Sequence, residues 1–269
     1  MKIFAIREDE ILKDLAYLIY YEKEKQFYIE LPEDADPWET PLLLSSFAKR
    51  GKKTVDAFWS KLWVQQRIIP SDRQNLGQIL KENGLTEYDE YSLLMLADGR
   101  CAQDDYYLAP LTEQDLPEYI KKRYQMKIEN VIPLTANQLL VFFNDGVIKK
   151  CVLQPLLEKG QRFLPILKNK MLFDQVKIQT GGYGVTWGEN LTLSDETLYM
   201  FGEAVPLTFD DFKHFISHCI VNTAEAAELL GCSRQNIDDL VCRNKLHPIK
   251  TDPKNKLFLK SEILQRMWT

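Results

Sequence analysis

Histidine is scarce in this chain, with three among 269 residues, and the cysteines are few and scattered. Cys101, Cys151, Cys219, Cys232 and Cys242 are odd in number and never closer than ten positions apart. That fits neither a disulfide framework nor a zinc ribbon, so buried free thiols are expected. No window approaches the roughly 18 to 20 apolar residues of a membrane-spanning helix. Residues 1–6 are followed at once by Arg7, Glu8, Asp9 and Glu10, which leaves no apolar core for a secretory signal. The expectation is a cytoplasmic protein with no membrane partner, in which the sequon Asn190-Leu191-Thr192 carries little meaning.

Catalytic motifs are missing as well. There is no Gly-x-Ser-x-Gly elbow, no kinase His-Arg-Asp loop and no Cys-x-x-Cys. Gly181, Gly182, Gly184 and Gly188 match neither the spacing of a P-loop nor that of a dinucleotide loop, so GGYGVTWG reads as a tight turn between strands. His214 and His218 lie four apart on an expected helix that Thr208 and Asp211 cap, but Phe215 stands where a zincin needs Glu. The stripe Phe209, Phe212, Ile216 and Cys219 is expected to be that helix's buried face, with the histidines on the wet side. No catalytic residue, metal site or cofactor is expected. An enzyme would require titratable groups that converge only in space.

What is present is ordinary for a globular protein: 45% apolar and 27% charged residues in a chain long enough for one large domain or several small ones. The net charge of −5 excludes a protein that coats nucleic acid indiscriminately, but the charge is uneven. From Asn222 onward eight Lys and Arg (Arg234, Arg243, Lys245, Lys250, Lys254, Lys256, Lys260 and Arg266) face six acids. A polyanion partner is therefore to be sought in the tail.

Along the chain, four segments are expected in an α+β protein. Residues 1–124 form an α+β region. LAYLIYYEKEKQFYIEL reads as a hairpin around Glu-Lys-Glu-Lys, and the prolines and acids of LPEDADPWETP as a loop. Val55, Phe58, Trp59, Leu62 and Trp63 form the apolar stripe of one helix, which puts both tryptophans in the core. Ser71 is expected to cap a second helix ending near Asn83-Gly84. Thr86 with Asp89 suggests a capping box for a third, ending at Gly99. Residues 125–206 form a small α+β domain. Two β runs there join through Asn144-Asp145-Gly146, LQPLLEK suggests a short helix, LFDQVKIQTGGYGVTWG a second pair of strands, and SDETLYMFG a helix capped by Ser194. Residues 207–221 are read as a linker helix.

Residues 222–269 carry the most specific pattern. Asn222 or Thr223 caps AEAAELL, with Glu225 in its first turn; Gly231 ends that helix, and Ser233 caps RQNIDDLVCR. Ile237, Leu240 and Val241 face the first helix, which leaves Arg234, Gln235 and Asn236 at the exposed leading end. Such side chains suit base edges, Arg for guanine and Gln and Asn for adenine. A basic hairpin over residues 249–259 offers lysines to phosphates. SEILQRMW makes a last helix, with Ser261 as its cap and Ile263, Leu264 and Met267 for packing.

Three resemblances follow from these residues. The order of hairpin, VDAFWSKLWVQQRIIPSDR and YSLLMLADGRCAQDDYYL resembles the N-terminal subdomain of HipA-type kinases and covers no kinase catalytic machinery. The run from VIPL through FNDGVIKKCVL, PILKNKMLFDQVKI and GYGVTWGENLTLSDETLY resembles the family catalogued as domain of unknown function 2442. That family implies a compact α+β fold, frequent fusion to a helix-turn-helix, a suspected place in toxin-antitoxin or regulatory systems, and no known enzymatic activity. NTAEAAELLGCSRQNIDDLVCRNKL resembles the winged helix-turn-helix of excisionase and MerR proteins, with Asn244 where the family often has Gly. That resemblance implies DNA contacts from Ser233, Arg234, Gln235, Asn236 and Arg243, with Lys245 beside them and Lys250, Lys254 and Lys256 on the wing.

Two departures bear on it. Asp238 and Asp239 place negative charge on the second helix unless they pair with Arg234, Arg243 or a base amino group, and no coiled coil follows to dimerise the chain. One module makes few phosphate contacts, so a homodimer formed through the upstream domains is the corollary of DNA binding. The expectation is a sequence-specific regulator of double-stranded DNA or an antitoxin-like autoregulator. The alternative is an adaptor that binds protein and never touches DNA.

Overall fold

The computed structural model describes residues 1–154, 163–188, 191–252 and 255–266 as a mixed α+β chain. It divides into two compact units, residues 1–145 with 151–202, and residues 146–150 with 203–269.

The first unit opens on β1 (Lys2–Glu8), β2 (Ile11–Tyr21) and β3 (Gln26–Glu30), antiparallel neighbours. The expected hairpin is β2 and β3, turning at residues 22–25, with Lys25 at φ 51. There follow α1 (Leu42–Lys49), β4 (Thr54–Val55), α2 (Ala57–Gln65), α3 (Leu76–Glu82), α4 (Glu90–Met95) and β5 (Tyr106–Leu111). The sheet has the order β4-β3-β2-β1-β5. β2 is apolar on both sides because both faces of the sheet are covered. Leu18, Phe27 and Ile29 pack with Leu44, Trp63 and Leu94 on one face, while Tyr17 and Ile19 meet Leu116 and Ile120 on the other. Ile120 belongs to α5 (Glu118–Gln125).

Three local expectations in this region are corrected. Val55 is a strand residue, and α2 buries Ser60, Trp63 and Val64, so Trp63 is core while Phe58 and Trp59 are exposed. The helix starts at the Asp56 cap, which rotates the buried stripe away from the 58/59 line. Ser71 caps nothing, since α3 starts after Asn75. Asp89 itself caps α4 by accepting from the Ser92 amide at 2.9 Å, leaving Thr86 outside.

β6 (Ile128–Leu134) and β7 (Gln138–Phe143) pair antiparallel, and Asn144-Asp145-Gly146 leads on to β8 (Ile148–Val152), with Gly146 at φ 82. The expected helix LQPLLEK lies mostly outside the described residues. Then come α6 (Leu164–Lys168), α7 (Lys170–Phe173), β9 (Lys177–Ile178), β10 (Gly184–Thr186), β11 (Thr192–Ser194) and α8 (Asp195–Phe201), the last capped by Ser194 as expected. Leu139, Val141, Phe143, Ile166, Phe173, Val185, Trp187 and Leu198 form their shared core.

A buried polar joint ties this second core to the N-terminal sheet. Lys127 Nζ lies 2.9 Å from Asp195 and 3.4 Å from Glu30, and 3.8 Å from the centre of the Tyr183 ring. That ring stacks on Tyr28 at 3.8 Å and 5°. Arg123 pairs with Glu30 at 3.0 Å and with Glu33. Lys127 and Glu30 are 2% and 1% exposed. Burial raises the Asp195 pKa against the opposing pull of Lys127, and burial pushes Tyr21 up to about 12. Of GGYGVTWG, expected as a turn between strands, only Gly181-Gly182-Tyr183 turn between β9 and β10, while Gly184–Thr186 form β10 itself; the turn also sets this approach. A Cβ on Gly182, at φ 74, would sit 2.5 Å from the Ile128 carbonyl oxygen, and one on Gly181 would sit 2.3 Å from the Tyr21 hydroxyl.

In the second unit, Lys149 and Lys150 of β8 pair with β12 (Glu203–Ala204). The expected linker helix is α9 (Phe209–Cys219), and the Thr208–Asp211 capping box forms. Its stripe is not a buried face: Phe209, Phe212 and Cys219 are half-buried, while Phe215 and Ile216 are 51% and 57% exposed. The chain continues through β13 (Ile220–Asn222), α10 (Thr223–Leu230), α11 (Arg234–Cys242), β14 (Lys250–Thr251), β15 (Lys256–Leu259) and α12 (Lys260–Gln265). The three strands form a sheet in the order β13-β15-β14 around a core of Val221, Ala226, Ala227, Ile237, Leu246, Phe258 and Ile263. Ser261 lies inside α12 and caps nothing, because the helix begins at Lys260. Met267 lies outside the described residues.

Candidate nucleic-acid interface

The pair α10 and α11 is built by local chemistry. The Asn222 side chain accepts from the Ala224 and Glu225 amides at 2.8 and 3.1 Å, and Glu225 returns a bond to the Asn222 amide at 2.8 Å. This reciprocal cap satisfies donors that a helix start leaves open. Gly231 takes φ 63 and ends α10, and Ser233 then caps α11 through the Asn236 amide at 3.2 Å. Ala226 and Ala227 are buried, and their small side chains let α11 approach with Ile237 inward. Asn244 ends α11 at φ 57, a conformation Asn tolerates better than most residues.

With Ile237, Leu240 and Val241 turned to the core, Ser233, Arg234, Gln235, Asn236 and Arg243 are all exposed. So are Lys245 and Lys250. Lys254 lies outside the described residues. Lys256 is half-buried and donates to Asp238 on α11 at 2.5 Å, which neutralises one of the two acids. Of the partners considered for Asp238 and Asp239, neither Arg234 nor Arg243 pairs with Asp238; the hairpin lysine takes it. His247 is fixed through its amide and ring nitrogen to Glu262, and Arg266 donates to the Lys245 carbonyl at 2.7 Å. These bonds tie the segment after α11 to α12.

The outermost line of α11 is Gln235, Asp239 and Cys242, at i, i+4 and i+7, opposite buried Ile237. Asp239 and Cys242 were not among the expected contact residues. Extending the helical period from Gln235 would have found them.

His214 and His218 are exposed with ring centres 6.4 Å apart, and no group of three metal-ligating side chains occurs among the described residues. Titratable groups do converge at Glu30, Arg123, Lys127 and Asp195, but in the protein interior rather than in a cleft. Among the described residues no helix is long and apolar enough to cross a membrane.

Residues 128–204 match the family described as protein of unknown function (DUF2442). No curated protein and no solved structure matches the chain.

Proposed function

We propose that the carboxy-terminal segment is a winged helix-turn-helix and that the protein is a sequence-specific DNA-binding regulator, with α11 as the element that enters the major groove. The observation carrying this reading is the leading end of α11, exposed and unpaired among the described residues, where Arg234, Gln235 and Asn236 project from a capped helix held by its own core. Arg presents paired donors to guanine O6 and N7, and the amides of Gln and Asn match adenine N6 and N7. Lys245 and Lys250, both exposed, would supply phosphate contacts.

A second reading, a protein-binding adaptor, is favoured by the acid at Asp239 and by the apolar side chains Phe215 and Ile216 left exposed on α9. Selection from a random duplex pool by the full chain, at stated salt, separates the two. A regulator enriches one sequence; an adaptor enriches none. Antitoxin-like autoregulation requires in addition that the enriched sequence lie upstream of the chain's own gene.

A further inference from the structure

The middle of α11 carries an exposed carboxylate on the line that continues from Gln235. Asp239 stands one turn after Gln235 on the outermost line of the helix, opposite Ile237, and it is exposed. Its neighbour Asp238 is held by Lys256, whereas Asp239 forms no ion pair among the described residues. Arg243, one turn further on, is also exposed and does not pair with it. Asp239 does not help to build α11 either. It caps no amide, and it lies beyond the first turn, where the helix dipole would favour an acid.

An ionised carboxylate only accepts hydrogen bonds. In the major groove the donors are the amino groups of cytosine and adenine, while guanine N7 and O6, thymine O4, adenine N7 and the phosphates all repel it. Adenine sets N7 beside its amino group. Cytosine offers its amino group with no acceptor on its own groove edge, so a lone carboxylate fits cytosine best. We infer that Asp239 is a specificity-determining residue that demands a cytosine within the bound site. Four residues of helix rise about 6 Å and a base pair about 3.4 Å, which places this cytosine roughly one or two base pairs from the base read by Gln235. The inference rests on the DNA-binding reading of α11. It adds that the acid acts as a filter: weak affinity for sequences without the amino group is part of how the protein discriminates.

The test uses the full chain and its Asp239→Asn and Asp239→Ala variants. Each is put through the same random-pool selection, and anisotropy titrations then follow on the enriched duplex and on duplexes with one base pair replaced. The expected result is a cytosine in the wild-type consensus whose replacement weakens wild-type binding about tenfold or more. The same replacement should cost the Asp239→Ala variant little, while that variant still discriminates at the position read by Gln235 and binds unrelated duplex more tightly than wild type. Equal penalties in wild type and variants at every position would overturn the role of Asp239 and leave DNA reading intact. A wild-type pool with no enriched sequence would remove both. Because Asp239 is exposed and unpaired among the described residues, circular dichroism of the variants should match wild type.

Discussion

Lys256 reaches from β15 to the Asp238 carboxylate on α11 at 2.5 Å, joining hairpin and helix through a partly exposed ion pair. Such a pair contributes about 0.2 to 1 kcal/mol to stability, so its larger effect is on charge. Asp238→Asn should release Lys256 toward phosphate. Affinity for non-specific duplex should rise and the slope of log K against log salt should steepen by about 0.9. Titrations at four salt concentrations measure both.

Side chains at the leading end of α11 and those around it should differ in kind. Arg234→Ala or Gln235→Ala should cost about 1 to 3 kcal/mol on the selected sequence and relax preference at one position. Lys245→Ala or Lys250→Ala should weaken all duplexes alike and reduce the salt slope by about 1. Full affinity in all four variants would favour the adaptor.

Arg67 in the first unit makes two bonds to Asp104, at 2.8 and 2.6 Å, and lies over the Trp63 ring. Burial works to raise the Asp104 pKa, but the Arg67 bonds outweigh it and hold the carboxyl below its ordinary 3.8. A carboxyl lowered in the folded state contributes stability that is complete above the unfolded value and lost as pH falls through the folded one. Asp104→Asn leaves Arg67 buried without its counter-charge and should cost about 3 to 5 kcal/mol at neutral pH. Urea melts should show that difference shrinking as pH falls below 3.8 and the wild-type carboxyl is progressively protonated.

Gly182 and Gly146 both have positive φ but differ in surroundings: Gly182 faces the Ile128 backbone, and nothing lies within 4 Å of a Cβ on Gly146. Gly146→Ala should therefore cost about 1 kcal/mol, the backbone term alone. Gly182→Ala should cost at least about 2 kcal/mol, because two backbones must also separate. Chemical denaturation of the two variants side by side tests the assignment of GGYG as a packing device.

Local chemistry was the legible part of this fold. The caps at Ser194, Thr208, Asn222 and Ser233 and the turn at Gly231 depend on neighbours within four residues, and all are as expected. Cys151 is buried, but Cys242 is exposed on α11. The stripe in α2 departs from the expected one because Val55 belongs to a strand, paired with Ile29, and the helix starts only after Asp56. α9 departs for a different reason: amphipathic periodicity states which face is apolar, not whether anything covers it. The Lys127 joint was invisible because its members come from residues 30, 123, 127, 183 and 195, and no spacing links them. At the candidate interface, the exposure of Arg234, Gln235 and Asn236 followed from the period of α11, whereas the capture of Asp238 by Lys256 depends on where a hairpin folds back.

The matched stretch begins at residue 128, one position after Lys127. A fragment trimmed to those limits would keep Asp195 and the Tyr183 ring yet lose the ammonium group and the Tyr28 face that enclose them. It would present to water an aromatic ring and a carboxylate shaped for the interior. Expression trials that keep this joint whole should therefore include β1 to β3 as well as the matched residues 128–204.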